Sequence, residues 1–178
     1  MSDADWHYDD QEVSDDEELL RRIPWNPQLV MLDAQTGRYV LTPGALRRNA
    51  GEGMSVHLIS AIEACGSDPA TIHDPDRYGA VAFAARIPRS EGAGVIAAPA
   101  TEEDEPHPVL RAAHAEVRPP TYQRNKREWS LVADTIIGAC RWVSALDHPP
   151  DGVECSSGVP ASATRPLTQP ADVPGLSN

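Results

Sequence analysis

Charge and proline are distributed so unevenly along this 178-residue chain that only its middle can supply a packed core. Residues 1–20 hold nine aspartates and glutamates and no lysine or arginine, while residues 149–178 are rich in proline, serine and glycine. Neither segment has the apolar surface that would offset the entropy lost on folding. We therefore predict a disordered acidic arm over residues 1–13, one domain over residues 14–148, and a disordered proline-rich tail over residues 149–178.

The net charge of −12 belongs mainly to the acidic end of the chain. Residues 21–148 carry fifteen acidic and fourteen basic side chains, so a whole-protein grip on DNA or on an anionic membrane is not expected. The first residues lack the features of a secretion signal, and no apolar run is long enough to span a bilayer. Three cysteines, far apart in the chain, fit a reducing compartment. We expect a cytoplasmic protein without membrane association, and the dominance of arginine over lysine favours a bacterial or phage source.

The spacing of apolar residues predicts an α+β fold, with about three helices and a mostly antiparallel sheet of four or five short strands. A capping-box pattern, Ser14 to Glu17, precedes the first helix. The predicted helices span residues 15–22, 54–65 and 122–146, and the predicted strands span residues 28–33, 38–42, 78–86, 92–100 and 113–118. The first two strands are predicted to form a hairpin around Gly37 and the next two an antiparallel pair. The beginning of residues 54–65 can alternatively be extended.

Four residues are candidates for catalysis if the protein is an enzyme. Ser55 and His57 are two positions apart, so on a strand they share one face and place a nucleophile beside a base. On a helix they face apart, and they are then a capping serine and a half-buried histidine. Arg22 and His114 complete the candidate set for an enzyme that acts on a nucleotide or a nucleic-acid phosphate. The histidines match no metal-ligand spacing and the glycines form no phosphate loop, so we predict neither a metal nor a cofactor.

The order Arg22, Ser55, Glu116 resembles the plan of ADP-ribosyltransferase-like proteins. Those folds are split antiparallel sheets, with an early Arg or His on the dinucleotide, a mid-chain Ser or Tyr under the nicotinamide and a late Glu or other polar residue at the ribose. The resemblance implies an enzyme that acts on NAD. It is an analogy at the level of the fold.

Two groups of residues are candidates for binding a partner. Trp6 and Tyr8 are aromatic residues within the acidic arm, and such arms order when they bind another protein. The second group lies within residues 118–127 and consists of Arg118, Tyr122, Arg124, Lys126 and Arg127. Basic side chains beside an aromatic one can bind the phosphate backbone of a nucleic acid while a nucleobase stacks on the aromatic ring. We also hypothesise that residues 1–18 fold back on this basic segment and compete with an anionic ligand.

Short stretches of the body resemble a loose set of small uncharacterised bacterial proteins. The stretches that carry the resemblance are Arg21–Pro24, Met54–Leu58, Tyr78–Phe83 with the following Arg86, and His114–Val117. The resemblance spans roughly residues 17–146 and implies a bacterial domain. It implies no activity, and no site residue is carried over from it.

Because no catalytic motif is complete, the leading hypothesis from the sequence is a non-enzymatic interaction or regulatory protein that acts through an unidentified protein partner. The alternative is the small enzyme that acts on a nucleotide or NAD through Arg22, Ser55, His57 and His114. A second alternative is a nucleic-acid-binding module that uses residues 118–127.

Overall fold

A computed structural model describes residues 6–48, 53–122 and 126–143, and it shows an α+β fold. Within these residues the chain forms eight strands, four α-helices and one short 3-10 helix over Pro43–Leu46. The strands are β1 (Glu18–Pro24), β2 (Val30–Asp33), β3 (Arg38–Leu41), β4 (Met54–Leu58), β5 (Tyr78–Ala84), β6 (Gly94–Ala97), β7 (His114–Arg118) and β8 (Arg141–Trp142). The helices are α1 (Ile59–Ala64), α2 (Arg86–Ser90), α3 (Pro108–Ala112) and α4 (Lys126–Ala139).

Six strands form the main sheet, in the order β6-β7-β4-β1-β5-β8, and every neighbouring pair is antiparallel. Strand β1 lies near the middle of this sheet because both of its faces are apolar. The consecutive residues Leu19 and Leu20 are both fully buried, and successive side chains of a strand point to opposite faces. The two strands β2 and β3 form a separate hairpin.

Each face of the main sheet is covered by its own layer. Helix α4 buries Val132, Ala133 and Ile136 on the first face, in the same apolar cluster as Leu19 and Ile23. Helices α1 and α3 cover part of the second face, where a smaller apolar cluster forms. That cluster contains Leu20, Ile59, Ile62, Ala80, Ala82, Leu110 and Ala113.

The helix predicted over residues 15–22 is wrong, because this segment is β1. The Ser14 hydroxyl accepts a hydrogen bond from the Asp16 amide at 3.3 Å, as a turn residue can. The Glu17 carboxylate does not return to Ser14 but accepts a bond from the Ser60 amide at 3.1 Å. The adjacent leucines decide between the two structures, since a surface helix would bury only one stripe.

Other parts of the prediction are confirmed or corrected. The hairpin is confirmed, with a positive φ of 65° at Gly37, and the strand at 113–118 is confirmed as β7. Residues 54–65 start extended, as the alternative allowed, and become α1 only at Ile59. The predicted pairing of residues 78–86 with 92–100 is wrong, because three strands separate β5 from β6. The strand number was underestimated because β1, β4 and β8 lie in segments that were predicted as helices.

Residues 6–13, which the sequence predicts to belong to a disordered arm, lie against the domain in this structure. The Asp10 amide donates to the Val95 carbonyl at 2.8 Å, so this segment runs beside the edge strand β6. Asp9 forms an ion pair with Arg89 at 2.9 Å. A Cβ atom on Gly94 would lie 2.3 Å from the Tyr8 carbonyl oxygen, and glycine there permits the close approach. Residues 1–5 and the predicted tail at 149–178 lie outside the described residues.

The burial of β1 on both faces predicts a large difference between two leucine substitutions. Leu19→Ala should lower the free energy of unfolding by about 2–5 kcal/mol, because it leaves a cavity in the first layer. Leu131→Ala on α4 should change it by less than about 0.5 kcal/mol, because Leu131 is 54% exposed. Urea unfolding followed by circular dichroism measures both values, and equal losses would contradict the assignment of β1 to the centre of the sheet.

Candidate functional site

A row of polar side chains crosses the second face of the sheet, where an antiparallel sheet would ordinarily bury apolar ones. Direct pairing across strands places Ser55 opposite Glu116 and His57 opposite His114. Leu20 lies opposite His57, so Arg22, two positions further along β1, projects from the same face. Three neighbouring strands, β7, β4 and β1, therefore carry one continuous polar strip.

Ser55 and His114 form the most defined contact of this strip. The Ser55 Oγ lies 2.9 Å from the His114 Nε2, and the His114 Nδ1 lies 2.6 Å from the Ala98 carbonyl oxygen. Because a carbonyl can only accept, Nδ1 carries a proton and donates it to Ala98. In the neutral ring Nε2 then accepts from the Ser55 hydroxyl. This is the orientation in which a histidine serves as a base toward a hydroxyl group.

Arg22 forms an ion pair with Glu105, which the loop between β6 and α3 brings over the sheet. The Glu105 side chain is 8% exposed and that of Arg22 is 24% exposed. The loop is held locally, since the Glu105 amide donates to the Thr101 carbonyl at 3.0 Å. The second carboxylate oxygen of Glu105 accepts from the His107 amide at 3.2 Å. A carboxylate at this depth needs such partners, because an unpaired buried charge is strongly unfavourable.

His57 lies beneath this ion pair and is only 2% exposed. Its Nε2 is 3.9 Å from a Glu105 carboxylate oxygen, and its ring is 5.7 Å from that of His114. Burial and then the positive charge of Arg22 lower the pKa of His57 to about 3. His57 is therefore neutral near pH 7, and its ring nitrogens form no hydrogen bond within the described residues.

Glu116 is fixed by two donors. Its carboxylate accepts from the Gly53 amide at 3.0 Å and from the Arg118 Nε at 2.7 Å. A Cβ atom on Gly53 would lie 2.8 Å from the Glu116 Cβ, so glycine at this position allows the strands to meet. Glu116 thus presents an oriented carboxylate next to Ser55.

These groups open onto one cleft of about 390 Å³. Its ionisable wall contains one cation, Arg22, and three carboxylates, those of Asp104, Glu105 and Glu116. Ser55 and His114 also line it, while the backbone of residues 98–101 forms the opposite wall. We call this space the first cleft.

The structure brings the four candidate catalytic residues together. Arg22, Ser55 and His114 line the first cleft, and His57 lies directly behind it. Glu116 joins them, so the three residues of the ADP-ribosyltransferase-like order lie side by side. Glu105 was not singled out from the sequence, because residues 101–108 contain four acidic residues and no pattern distinguishes the one that turns inward.

Some of the candidate partner-binding residues pack against one another, and others are exposed. Trp6 is 7% exposed; its ring lies 4.5 Å from the Arg118 guanidinium and 5.3 Å from the Tyr122 ring. Tyr8 is 37% exposed. Lys126 and Arg127 are exposed at the start of α4, and Arg124 lies outside the described residues.

Residues 6 and 7 contact residues 118 and 119, as the fold-back hypothesis expects, but these contacts do not join acidic side chains to basic ones. Trp6 donates from its indole to the Pro119 carbonyl at 2.8 Å, and Arg118 donates to the His7 carbonyl at 2.7 Å. The carboxylates of the segment instead bind arginines of α2: Asp9 and Asp15 pair with Arg89. The interaction with residues 118–122 is thus aromatic and backbone-mediated.

Among the described residues, no three histidine, cysteine or acidic side chains are grouped so that they could hold a metal ion. No helix in the described ranges is long and apolar enough to cross a membrane. The chain matches no protein-family model, no curated protein and no solved structure.

The lowered pKa of His57 predicts a loss of stability in acid. In the unfolded chain His57 takes up a proton below its ordinary pKa of 6.5, whereas the folded protein takes it up only near pH 3. Between these limits its contribution should fall by about 1.4 kcal/mol for each pH unit of acidification. Urea unfolding between pH 4 and 6 should show a correspondingly shallower dependence in His57→Leu than in the wild type. If the free energy of unfolding depends on pH in the same way in both proteins, the pKa of His57 is not lowered by folding and the prediction is wrong.

Proposed function

We propose that the first cleft is the active site of a small enzyme that cleaves a glycosidic bond of a nucleotide or of NAD. One observation carries the proposal: Arg22, Ser55, His114 and Glu116, which come from three separate segments of the sequence, line the same cleft from three adjacent strands. Burying polar side chains in the middle of a sheet is unfavourable for folding alone. Perturbed ionisable groups in a cleft are typical of functional sites.

The charges of the first cleft favour one class of transition state over another. Acyl transfer by a serine builds negative charge on an oxygen and requires donors aimed at it. Glycosidic cleavage builds positive charge on the sugar, which carboxylates stabilise. The cleft is lined by three carboxylates and one arginine; Arg22 pairs with Glu105 and Arg118 pairs with Glu116, which leaves the carboxylate of Asp104 without an ion pair among the described residues. The surplus of negative charge therefore favours glycosidic cleavage.

Each residue then has a distinct role. Glu116, fixed by Gly53 and Arg118, lies where it can stabilise the sugar as positive charge develops. The attacking hydroxyl or water gives its proton to the Ser55 oxygen while Ser55 passes its own proton to His114 Nε2, the unprotonated ring nitrogen that faces it. Arg22 holds Glu105, and with it the covering loop, against the sheet beside the cleft. The ADP-ribosyltransferase-like order of residues supports the same assignment by analogy.

The interaction-protein hypothesis receives less support from the same structure. Its aromatic anchor, Trp6, is buried against Arg118 and Tyr122 of its own chain. Arg118 forms an ion pair with Glu116, so one of the basic side chains proposed to bind nucleic acid is already paired. Both hypotheses stay predictions, and neither accounts for the polar strip on the second face.

Incubation with NAD and release of nicotinamide, measured by chromatography, tests the proposal. Glu116→Gln should lower the rate at least about 100-fold, because it removes the negative charge that stabilises the developing positive charge on the sugar. Ser55→Ala should lower the rate in a similar way by breaking the link to His114. The same variants are compared on a panel of nucleosides and nucleotides if NAD is not cleaved.

Matched substitutions outside the cleft provide the controls. Glu63→Gln and Ser60→Ala alter exposed residues of α1 and should keep the wild-type rate. If no glycosidic bond in the panel is cleaved, or if Glu116→Gln keeps full activity, the proposed function is wrong.

A further inference from the structure

A second cleft lies on the other side of the Arg22–Glu105 ion pair. It has a volume of about 360 Å³, similar to that of the first cleft. Arg22, Asp104 and Glu105 line both clefts, so one ligand of nucleotide size can occupy both. The residues found only in the second cleft include Ile72, His73, Arg77, Tyr78, His107 and Leu110.

His73 is the polar group of the second cleft that lacks a partner. The residue is only 5% exposed, and neither ring nitrogen has a hydrogen-bond partner among the described residues. Burial, followed by the charge of Arg22, lowers the pKa of His73, although Asp74 acts in the opposite direction. A neutral imidazole has one donor and one acceptor. The cleft thus offers both to a ligand, and a buried group of this kind is ordinarily satisfied.

A planar cationic surface lies beside His73. The Arg77 guanidinium is 5.4 Å from the centroid of the Tyr78 ring, and that of Arg22 is 5.5 Å from it. Arg77 forms no ion pair within the described ranges, so its other surface is available. Guanidinium and aromatic planes are surfaces on which nucleobases stack. Ile72 and Leu110 add apolar surface to the wall of the second cleft.

We propose that the second cleft binds the heteroaromatic base of the substrate, stacked against Arg77 and with its polar edge at His73. The assignment rests on the proposed function, which places the ribose in the first cleft. A phosphate group fits this space less well, because Asp74, Asp104 and Glu105 outnumber Arg22 and Arg77. A neutral base that carries a donor and an acceptor matches a neutral imidazole between apolar walls.

Isothermal titration with three probes tests this subsite on the full-length protein. Adenosine monophosphate and nicotinamide mononucleotide each carry a base, and ribose 5-phosphate lacks one. At least one of the two nucleotides should bind about tenfold more tightly than ribose 5-phosphate. His73→Phe should remove this difference and leave the affinity for ribose 5-phosphate unchanged. Arg77→Ala should reduce the difference in the same way.

His7→Phe and Arg47→Ala are the matched controls, since both residues are exposed and lie outside the two clefts. His73→Phe should fold with an unchanged or higher melting temperature, because it replaces unpaired polar atoms by apolar ones. In the wild type, the imidazole nitrogen resonances of His73 should shift when the tighter nucleotide is added.

The outcomes separate this inference from the proposed function. Equal affinities for all three probes, or a base preference that survives His73→Phe, would overturn the assignment of the second cleft even if nicotinamide release depends on Glu116. Conversely, a base preference that depends on His73, without cleavage of any nucleotide, would support the subsite and contradict the enzymatic proposal.

Discussion

The ion pair between Arg22 and Glu105 connects the centre of the sheet to the loop that covers it. Arg22 lies on the second face because it is two positions from Leu20 along β1. Glu105 reaches it from the segment between β6 and α3. This contact holds the loop over the polar strip, and its two residues line both clefts. The charge of Arg22 also helps to keep His57 and His73 neutral. The geometry of both clefts therefore depends on a single pair of side chains.

A polar strip of this kind opposes stability, since apolar side chains on the same strands would pack without any desolvation cost. On the first face α4 packs against a large apolar cluster, and Arg21 lies on this face with its guanidinium donating to the Ser55 carbonyl. The asymmetry between the faces is the main physical reason to assign a function to the second one. The segment over residues 6–13 extends this arrangement: Trp6 lies on Arg118, Arg118 binds Glu116, and Glu116 faces the cleft.

The sequence was informative where structure is local. Alternation over residues 114–118 predicts β7, and Gly37 in a short polar loop predicts the hairpin. The capping-box pattern at Ser14 was misleading because serine and acidic residues form turns as readily as helix starts, and only tertiary burial of Leu19 and Leu20 selects the strand. The pairings of β1 with β5 and of β4 with β7 join strands that are not consecutive in the chain, so they have no local signature. The candidate residues Arg22, Ser55, His57 and His114 could be selected by chemical type, but their convergence depends on strand order and could not be derived.

The central claim is that the first cleft receives the sugar of a nucleotide. A crystal structure of the protein with ADP-ribose tests it most directly. The account predicts that the terminal ribose lies in the first cleft, with a hydroxyl group in hydrogen-bond contact with Glu116 and with the Ser55–His114 pair beside its anomeric carbon. Ligand density on another surface, or a ribose that contacts neither Glu116 nor Ser55, would contradict the account.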